Sequence, residues 1–257
     1  MKKELEAFDR LLEIMDTLRE KCPWDKKQTI ETLRTLTIEE TYELADAIIK
    51  NDLQEVKKEL GDILLHIVFY AKIGSEKKAF DITDVINGIN EKLVHRHPHV
   101  FGEIEVQDSR EVEENWEQIK MKEKDRDPSV LSGVPESLPA LVKANRVQQK
   151  VRGVGFDWDE RSQIWDKVKE ELGELQHEVE SEDQEKIEAE FGDLLFSLIN
   201  AARLYDIDPE TALERTNKKF IKRFNYLEEQ TLKKGISLKD MNLDAMNEIW
   251  EAAKQFD

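Results

Sequence analysis

The chain has little cysteine, proline and glycine, one, six and ten residues in 257, and each shortage narrows what it can be. With Cys22 alone, an intramolecular disulfide framework is excluded, and this thiol is expected to be an ordinary buried one. Long apolar runs are missing too. The longest, Ile63 to Tyr70, is interrupted by His66 and is far too short to span a bilayer. Met1 to Arg10 is charged where a signal peptide would be apolar, so a cytoplasmic location without membrane association is expected. Positive charge is in deficit, with 39 Lys and Arg against 57 Asp and Glu, a net charge of -18. No basic stripe suited to a phosphate backbone is present, which argues against a nucleic-acid partner. Cations, or polyanions carried by cations, are the expected ligands.

What the chain has is helix. Apolar residues recur at three- and four-residue spacing among Glu, Lys and Leu, the pattern of amphipathic helices, and the expected fold is all-α. Helices are expected over Glu4–Lys21, Thr29–Lys50, Leu53–Ile73 and Ile82–Arg96, then over Pro139–Arg152, Ser162–Ser181, Gln184–Tyr205 and Pro209–Gly235.

The second set repeats the first. Glu39-Glu40-x-x-Glu43 with Glu59-x-x-Asp62 recurs 131 residues on as Glu170-Glu171-x-x-Glu174 with Glu190-x-x-Asp193. Leu44/Leu175, Asp52/Asp183, Gly61/Gly192 and Leu64/Leu195 keep the offset, so a whole segment is duplicated rather than its charges alone. Looser echoes are Trp24-Asp25 with Trp158-Asp159, Asn90-x-Lys92 and Arg96 with Asn217-x-Lys219 and Arg223, and Trp116-Glu117-x-x-Lys120 with Trp250-Glu251-x-x-Lys254. The charged stretch Lys120 to Asp127 runs into Pro128, Gly133, Pro135 and Pro139, which disfavour helix. The expected organisation is a first domain over 1–127, a linker over 128–138 and a second domain over 139–257.

Helix geometry gives the acidic segment a chemistry. With turns at Asn51 and Glu182, Glu43 and Glu59 lie eight residues from the first turn, and Glu40 and Asp62 lie eleven. In an antiparallel pair, residues equidistant from the turn share a height. Glu40 with Glu43, and Glu59 with Asp62, are also i,i+3 neighbours, so one hairpin can present four carboxylates to one space. Glu171, Glu174, Glu190 and Asp193 repeat the count. Beside apolar runs, four carboxylates repel and desolvate one another unless a cation neutralises them. Oxygen-only ligation with room for phosphates suits Mg²⁺, with Mn²⁺ as a substitute. The plainer reading of any single ExxE is a solvated helix surface. Two other readings compete. A di-iron carboxylate protein needs Glu-x-x-His on two helices, and only Glu174-x-x-His177 fits. A non-catalytic helical scaffold would show no metal dependence.

With the tandem EExxE and ExxD patterns, Arg96-His97-Pro98-His99-Val100-Phe101, and Asn217-x-Lys219-Phe220-x-x-Arg223-Phe224, the chain resembles the MazG nucleoside triphosphate pyrophosphohydrolases of the all-α NTP pyrophosphatase superfamily. The resemblance covers nearly the whole chain. It implies Mg²⁺-dependent hydrolysis of NTPs and dNTPs to monophosphate and pyrophosphate by a homodimer of helical bundles. It further implies that Glu171, Glu174, Glu190 and Asp193 hold the metal, that Glu170 orients or deprotonates water, and that Trp250 stacks on a base, although Trp250 also reads as a packing residue.

Substrate-facing cations distinguish the copies. The second has Lys167, Lys169 and Lys186 around its acids, then Lys219, Lys222 and Arg223, whereas the first has Leu36, Ile38 and Glu55 in place of the first three. Lys167, Lys186, Asn217, Lys219, Arg223 and Trp250 are therefore the candidate substrate-binding residues. The second domain is the expected catalytic unit. The first, with Glu40, Glu43, Glu59 and Asp62 as a second candidate metal site, is expected to be degenerate or less active. The Arg96 to His99 cluster reads as a helix terminus ahead of a phosphate or metal site.

Overall fold

A computed structural model describes residues 2–106, 108, 111–112, 115–116, 119, 129–233 and 235–256. The chain packs as two units, Met1–Gln107 and Asp108–Asp257. This division falls ahead of the expected 127/128 boundary. The side chain of Lys150 donates to the Val130 carbonyl at 3.2 Å, which ties part of the expected linker into the second unit. Lys120 to Pro128 and the Glu117/Lys120 part of the Trp116 echo lie outside the described residues.

The first unit contains α1 (Lys2–Lys21), α2 (Pro23–Lys27), α3 (Ile30–Lys50), α4 (Leu53–Glu76), α5 (Ile82–Arg96) and α6 (Pro98–Phe101). The second contains α7 (Ala140–Arg152), α8 (Ile164–Ser181), α9 (Gln184–Leu204), α10 (Pro209–Lys233) and α11 (Leu243–Ala253), with 3₁₀ turns at Arg161–Gln163, Leu238–Asp240 and Lys254–Phe256. The described secondary structure is all helical, and the eight expected long helices are present with ends shifted by at most three residues. The short helices α2 and α6 were not expected. Each begins with a proline, whose fixed φ suits the first helical position.

Sequence explains where the central helices start and stop. Thr29 and Thr32 cap α3 reciprocally: the Thr29 hydroxyl accepts from the Thr32 amide, and the Thr32 hydroxyl accepts from the Thr29 amide. At its other end Asn51 adopts left-handed backbone, φ 56°, while the Asp52 amide reaches back to Ala47 O and the Asn51 amide to Ile48 O, each at 3.0 Å. This is a Schellman closure, and asparagine tolerates it better than most residues. Asp52 then caps α4 by accepting from the Gln54 and Glu55 amides. The second unit repeats the device with Glu182 at φ 58° and Asp183 accepting from the Lys186 amide. Left-handed Lys78 and Asp206 follow α4 and α9 in the same way, so the duplication extends to backbone conformation.

In the first unit Met15, Leu33, Val68, Phe69 and Ile73 form a buried cluster of α1, α3 and α4, with Phe8, Leu11, Ile30 and Leu65 packed around it. Leu33 is fully buried, and a side chain of that size contributes about 1.5–3 kcal/mol. At Gly74 the chain past α4 folds back so closely that an added Cβ would lie 2.7 Å from the Phe80 ring. Cys22 is half-buried at the N-cap of α2, more open than expected. Trp24 and Trp158 are exposed, and it is Asp25 that is buried.

The second unit buries Ile164, Leu175, Ile199, Ala201, Leu227 and Ala253. It also buries polar groups. Gln148 donates to the Phe196 carbonyl at 2.8 Å. Arg203 grips Asp157 with two guanidinium nitrogens, one at 3.1 Å, and takes Asn200 at 2.9 Å. Burial pushes the Asp157 carboxyl up, but the Arg203 bonds and the Trp158 amide outweigh it and leave the group below its usual value. A depressed folded value makes the stabilisation complete above the unfolded value and lost as pH falls through the folded one. Asp157→Asn is therefore expected to cost about 1–3 kcal/mol at neutral pH, below the range for a fully buried pair because Asp157 keeps some exposure. Urea denaturation at several pH values should show this deficit shrinking below about pH 4.

Candidate metal centre

The two-residue turns at Asn51-Asp52 and Glu182-Asp183 fold α3 onto α4 and α8 onto α9 as antiparallel pairs, and these turns set which carboxylates meet. In the first unit Glu40, Glu43 and Glu59 each bring an oxygen within 4.8 Å of the others. Glu171, Glu174 and Glu190 do the same in the second. Asp62 and Asp193 stand at the edge of these trios, close enough for their charge to act on Glu40 and Glu190 respectively.

The two trios are built in mirror fashion. In the first, Glu59 on α4 is the buried acid, Glu40 is half-buried and Glu43 exposed. In the second, Glu171 on α8 is buried, Glu190 is half-buried and Glu174 exposed. A lysine precedes the buried acid in each, by one residue in the first unit and by four in the second. Lys58 Nζ lies 2.8 Å from Glu59 Oε1, and Lys167 Nζ lies 2.7 Å from Glu171 and 2.8 Å from Glu170. The Lys58 bond lowers the Glu59 carboxyl against the opposing effect of burial. Both lysines are raised above the usual lysine range, chiefly by these hydrogen bonds.

The acid on the facing helix has no such help. Glu40 is raised by burial first, then by the charges of Asp62, Glu43 and Glu59. Glu190 is raised by burial, then by Glu174, Asp193 and Glu171. Each hairpin thus holds one neutralised carboxylate opposite one whose charge is penalised, which is the electrostatic demand a cation would meet.

Around the second trio an open groove of about 470 Å³ is lined by Lys169, Glu170, Glu174, His177, Glu178 and Glu190. That is within the size range of small-molecule sites. Lys169 pairs with Asp166 at 3.2 Å. Lys186 lies toward the turn, 3.7 Å from Glu178 and 3.8 Å from Asp183.

The remaining candidates form a separate group where α10 meets α11. Asn217 donates to Glu214 at 3.3 Å, Lys219 is exposed, and the Arg223 guanidinium lies 5.6 Å from the centre of the Trp250 ring. Phe220 approaches Trp250 at 4.9 Å. In the first unit His97 terminates α5, its ring meeting the Leu93 carbonyl at 2.7 Å, and Pro98 opens α6, a structural use of the Arg96 to His99 cluster.

Lys58 is the residue that sequence reasoning missed. Adjacent residues on a helix do not normally face one another, so Lys58 beside Glu59 carried no signal on its own. Aligning the copies does show one. Lys58 stands opposite Ala189, while Lys167 stands opposite Leu36, so the lysine has changed helices.

The donors suit a hard divalent ion. They are carboxylate oxygens from two helices, and buried Glu59 Oε2 has no hydrogen-bond partner among the described residues. A duplicated helical hairpin with a carboxylate trio in each copy defines a class of all-α proteins whose acids could hold a metal ion. The model of the MazG nucleotide pyrophosphohydrolase domain matches residues 28–101 and again 160–227, and the chain belongs to this family. It is 42% identical to the nucleoside triphosphate pyrophosphohydrolase of Escherichia coli K12, over 98% of each chain. It is 44% identical to the nucleoside triphosphate pyrophosphohydrolase/pyrophosphatase MazG of Thermotoga maritima, over 96% of this chain and 95% of that one. A MazG-related protein of known structure from Thermotoga maritima is 36% identical, with a TM-score of 0.40, spanning 44% of this chain and 99% of that one.

Proposed function

We propose that this protein hydrolyses nucleoside and deoxynucleoside triphosphates to the monophosphate and pyrophosphate in the cytoplasm, using Mg²⁺, or Mn²⁺ in its place, at the carboxylate trio of the second unit. The observation that carries the reading is the convergence of Glu171, Glu174 and Glu190 within 4.8 Å at the wall of a groove lined by Lys169 and Glu170, with Lys167 on the buried acid. Glu171, Glu174, Glu190 and Asp193 would hold the ion, which supplies charge neutralisation at the phosphates and acidifies water.

The chain's own residues do the rest. Glu170, exposed on the groove wall and one residue from the buried acid, orients the attacking water and takes its proton. Lys167 and Lys169 meet phosphate oxygens from α8, and Lys186 meets them from α9. Asn217, Lys219 and Arg223 bind the nucleotide from α10, with Trp250 offering an aromatic face to the base. No covalent nucleophile is needed, because phosphoryl chemistry of this kind rests on positioning and charge stabilisation. In this reading the first domain, to residue 127, is the less active copy, the linker is 128–138, and catalysis belongs to 139–257.

A panel of nucleotides assayed with and without Mg²⁺, following monophosphate and pyrophosphate separately, tests the reaction. Pyrophosphate should appear one for one with monophosphate and only with the metal; orthophosphate and diphosphate as first products would refute the reaction class. In the same assay Glu174→Gln or Asp193→Asn should reduce turnover by on the order of 100-fold, at least the loss seen when a ligand's support is removed. Glu43→Gln and Asp62→Asn should retain much of it.

The assembly proposed is a homodimer through the second units. Leu195 and Phe196 on α9 are exposed, as are Phe191 and Leu198, and an apolar groove of about 410 Å³ between Trp165, Leu198, Tyr205 and Ile207 adjoins them. Surface of this kind favours two-fold association into a larger helical bundle. Leu195→Lys with Leu198→Lys should shift the sedimentation equilibrium of the full chain toward monomer; a wild-type chain that sediments as a monomer would end the proposal.

A further inference from the structure

The first unit has kept its cation and moved it. Judged at the positions of Lys167, Lys169 and Lys186, it has Leu36, Ile38 and Glu55 and looks stripped of positive charge. Lys58 corrects that impression, since its ammonium sits 2.8 Å from Glu59, the most buried acid of the trio. The two lysines occupy the same electrostatic position from opposite helices. Lys167 reaches the buried acid of α8, and Lys58 reaches the buried acid of α4. A degraded copy would be expected to lose this pairing or to replace its acids, and the first unit has done neither.

Two further features bear on what the pairing is for. The Lys58 side chain is 59% exposed, and its charged end is held by Glu59 at 2.8 Å and more loosely by Glu55 at 3.6 Å. Glu59 Oε2, in contrast, is buried without a hydrogen-bond partner among the described residues, although a buried carboxylate oxygen ordinarily has one. A tethered ammonium satisfies one oxygen of Glu59 and leaves the other for a second positive group.

Resting on the reading of Glu40, Glu43, Glu59 and Asp62 as a metal site, we infer that Lys58 is a positioning residue of a working second site. It holds the trio in place of a divalent ion, yields Glu59 when the ion binds, and then meets the phosphates of the ligand that the ion carries. The ligand class is a metal-bound polyphosphate. Because its cation comes from α4 rather than from the first helix of the hairpin, the phosphates would be approached from the opposite helix to that used in the second unit. The exchange Leu36/Lys167 with Lys58/Ala189 is then a relocation of one function, not the loss of it.

The test uses the full chain carrying Glu174→Gln and Glu190→Gln, which disables the second trio, with and without Lys58→Met. Mn²⁺ binding is followed by the paramagnetic signal of the free ion, and inorganic pyrophosphate binding to the Mn²⁺-loaded chain by calorimetry. Removing the competing ammonium should tighten Mn²⁺ binding about fivefold, the worth of one modest ion pair, and weaken pyrophosphate binding by about as much. Lys58→Arg should restore pyrophosphate binding, and circular dichroism should confirm that each variant is folded. Unchanged Mn²⁺ affinity, or pyrophosphate affinity that does not fall, overturns the role of Lys58 while leaving the first trio a metal site. Absence of Mn²⁺ binding in the Glu174→Gln/Glu190→Gln chain before Lys58 is altered overturns the metal site itself, and the role with it.

Discussion

Like charges forced together are the constraint on which the rest of this structure depends. A two-residue turn fixes the register of each helix pair, and the register brings three carboxylates within 4.8 Å of one another. Such a group is stable only if the helices are rigid enough to resist its repulsion and if positive charge is at hand. Rigidity comes from the opposite faces of the same helices, where Leu33, Val68, Phe69 and Ile73 are buried in the first unit and Leu175 and Ile199 in the second. Positive charge comes first from a lysine one hydrogen bond away. The acids on the facing helices, Glu40 and Glu190, remain the penalised members, so each site stays electrostatically unfinished in a way that favours a further cation.

Much of this was legible in the sequence, for identifiable reasons. The long helices follow from apolar periodicity, and their ends from Thr29, Asn51, Asp52 and Asp183, whose side chains or backbone preferences act locally. Convergence of Glu43 with Glu59, and of Glu174 with Glu190, follows from counting residues to the turn, because helical rise is constant. What could not be read is what rotamers and tertiary packing decide. Sequence does not say that Glu59 is the buried acid in one copy and Glu171 in the other, or that Lys58 turns toward its neighbour. Nor does it say that Arg223 lies over Trp250, or that Asp157 anchors Arg203. These contacts join residues whose relation depends on several helices at once.

The duplication sharpens that distinction. Positions under backbone constraint have stayed in step, as the left-handed pairs Asn51/Glu182 and Lys78/Asp206 show, even though glutamate and lysine are not the residues best suited to that conformation. Positions under electrostatic constraint have kept their net arrangement while changing which residue supplies it. The buried acid has moved from one helix to the other, and the lysine has moved with it. Geometry is therefore inherited position by position here, and charge balance as a property of the cluster.

An acidic chain that handles polyanions is contradictory only if charge is averaged over the molecule. Salt screens exposed charges beyond about 8–10 Å, so the net charge of -18 weighs little against what lies at the groove itself. There, carboxylates serve a purpose that arginines alone could not. In the proposed reading they would gather a divalent ion with coordination to spare for phosphate oxygens, converting negative protein charge into local positive potential at the place where the substrate's charge must be met. The nearby lysines then act over one or two hydrogen bonds, a range that screening does not reach. Placing them among the acids also keeps the unfilled site from flying apart, which a cation on a distant helix would not do.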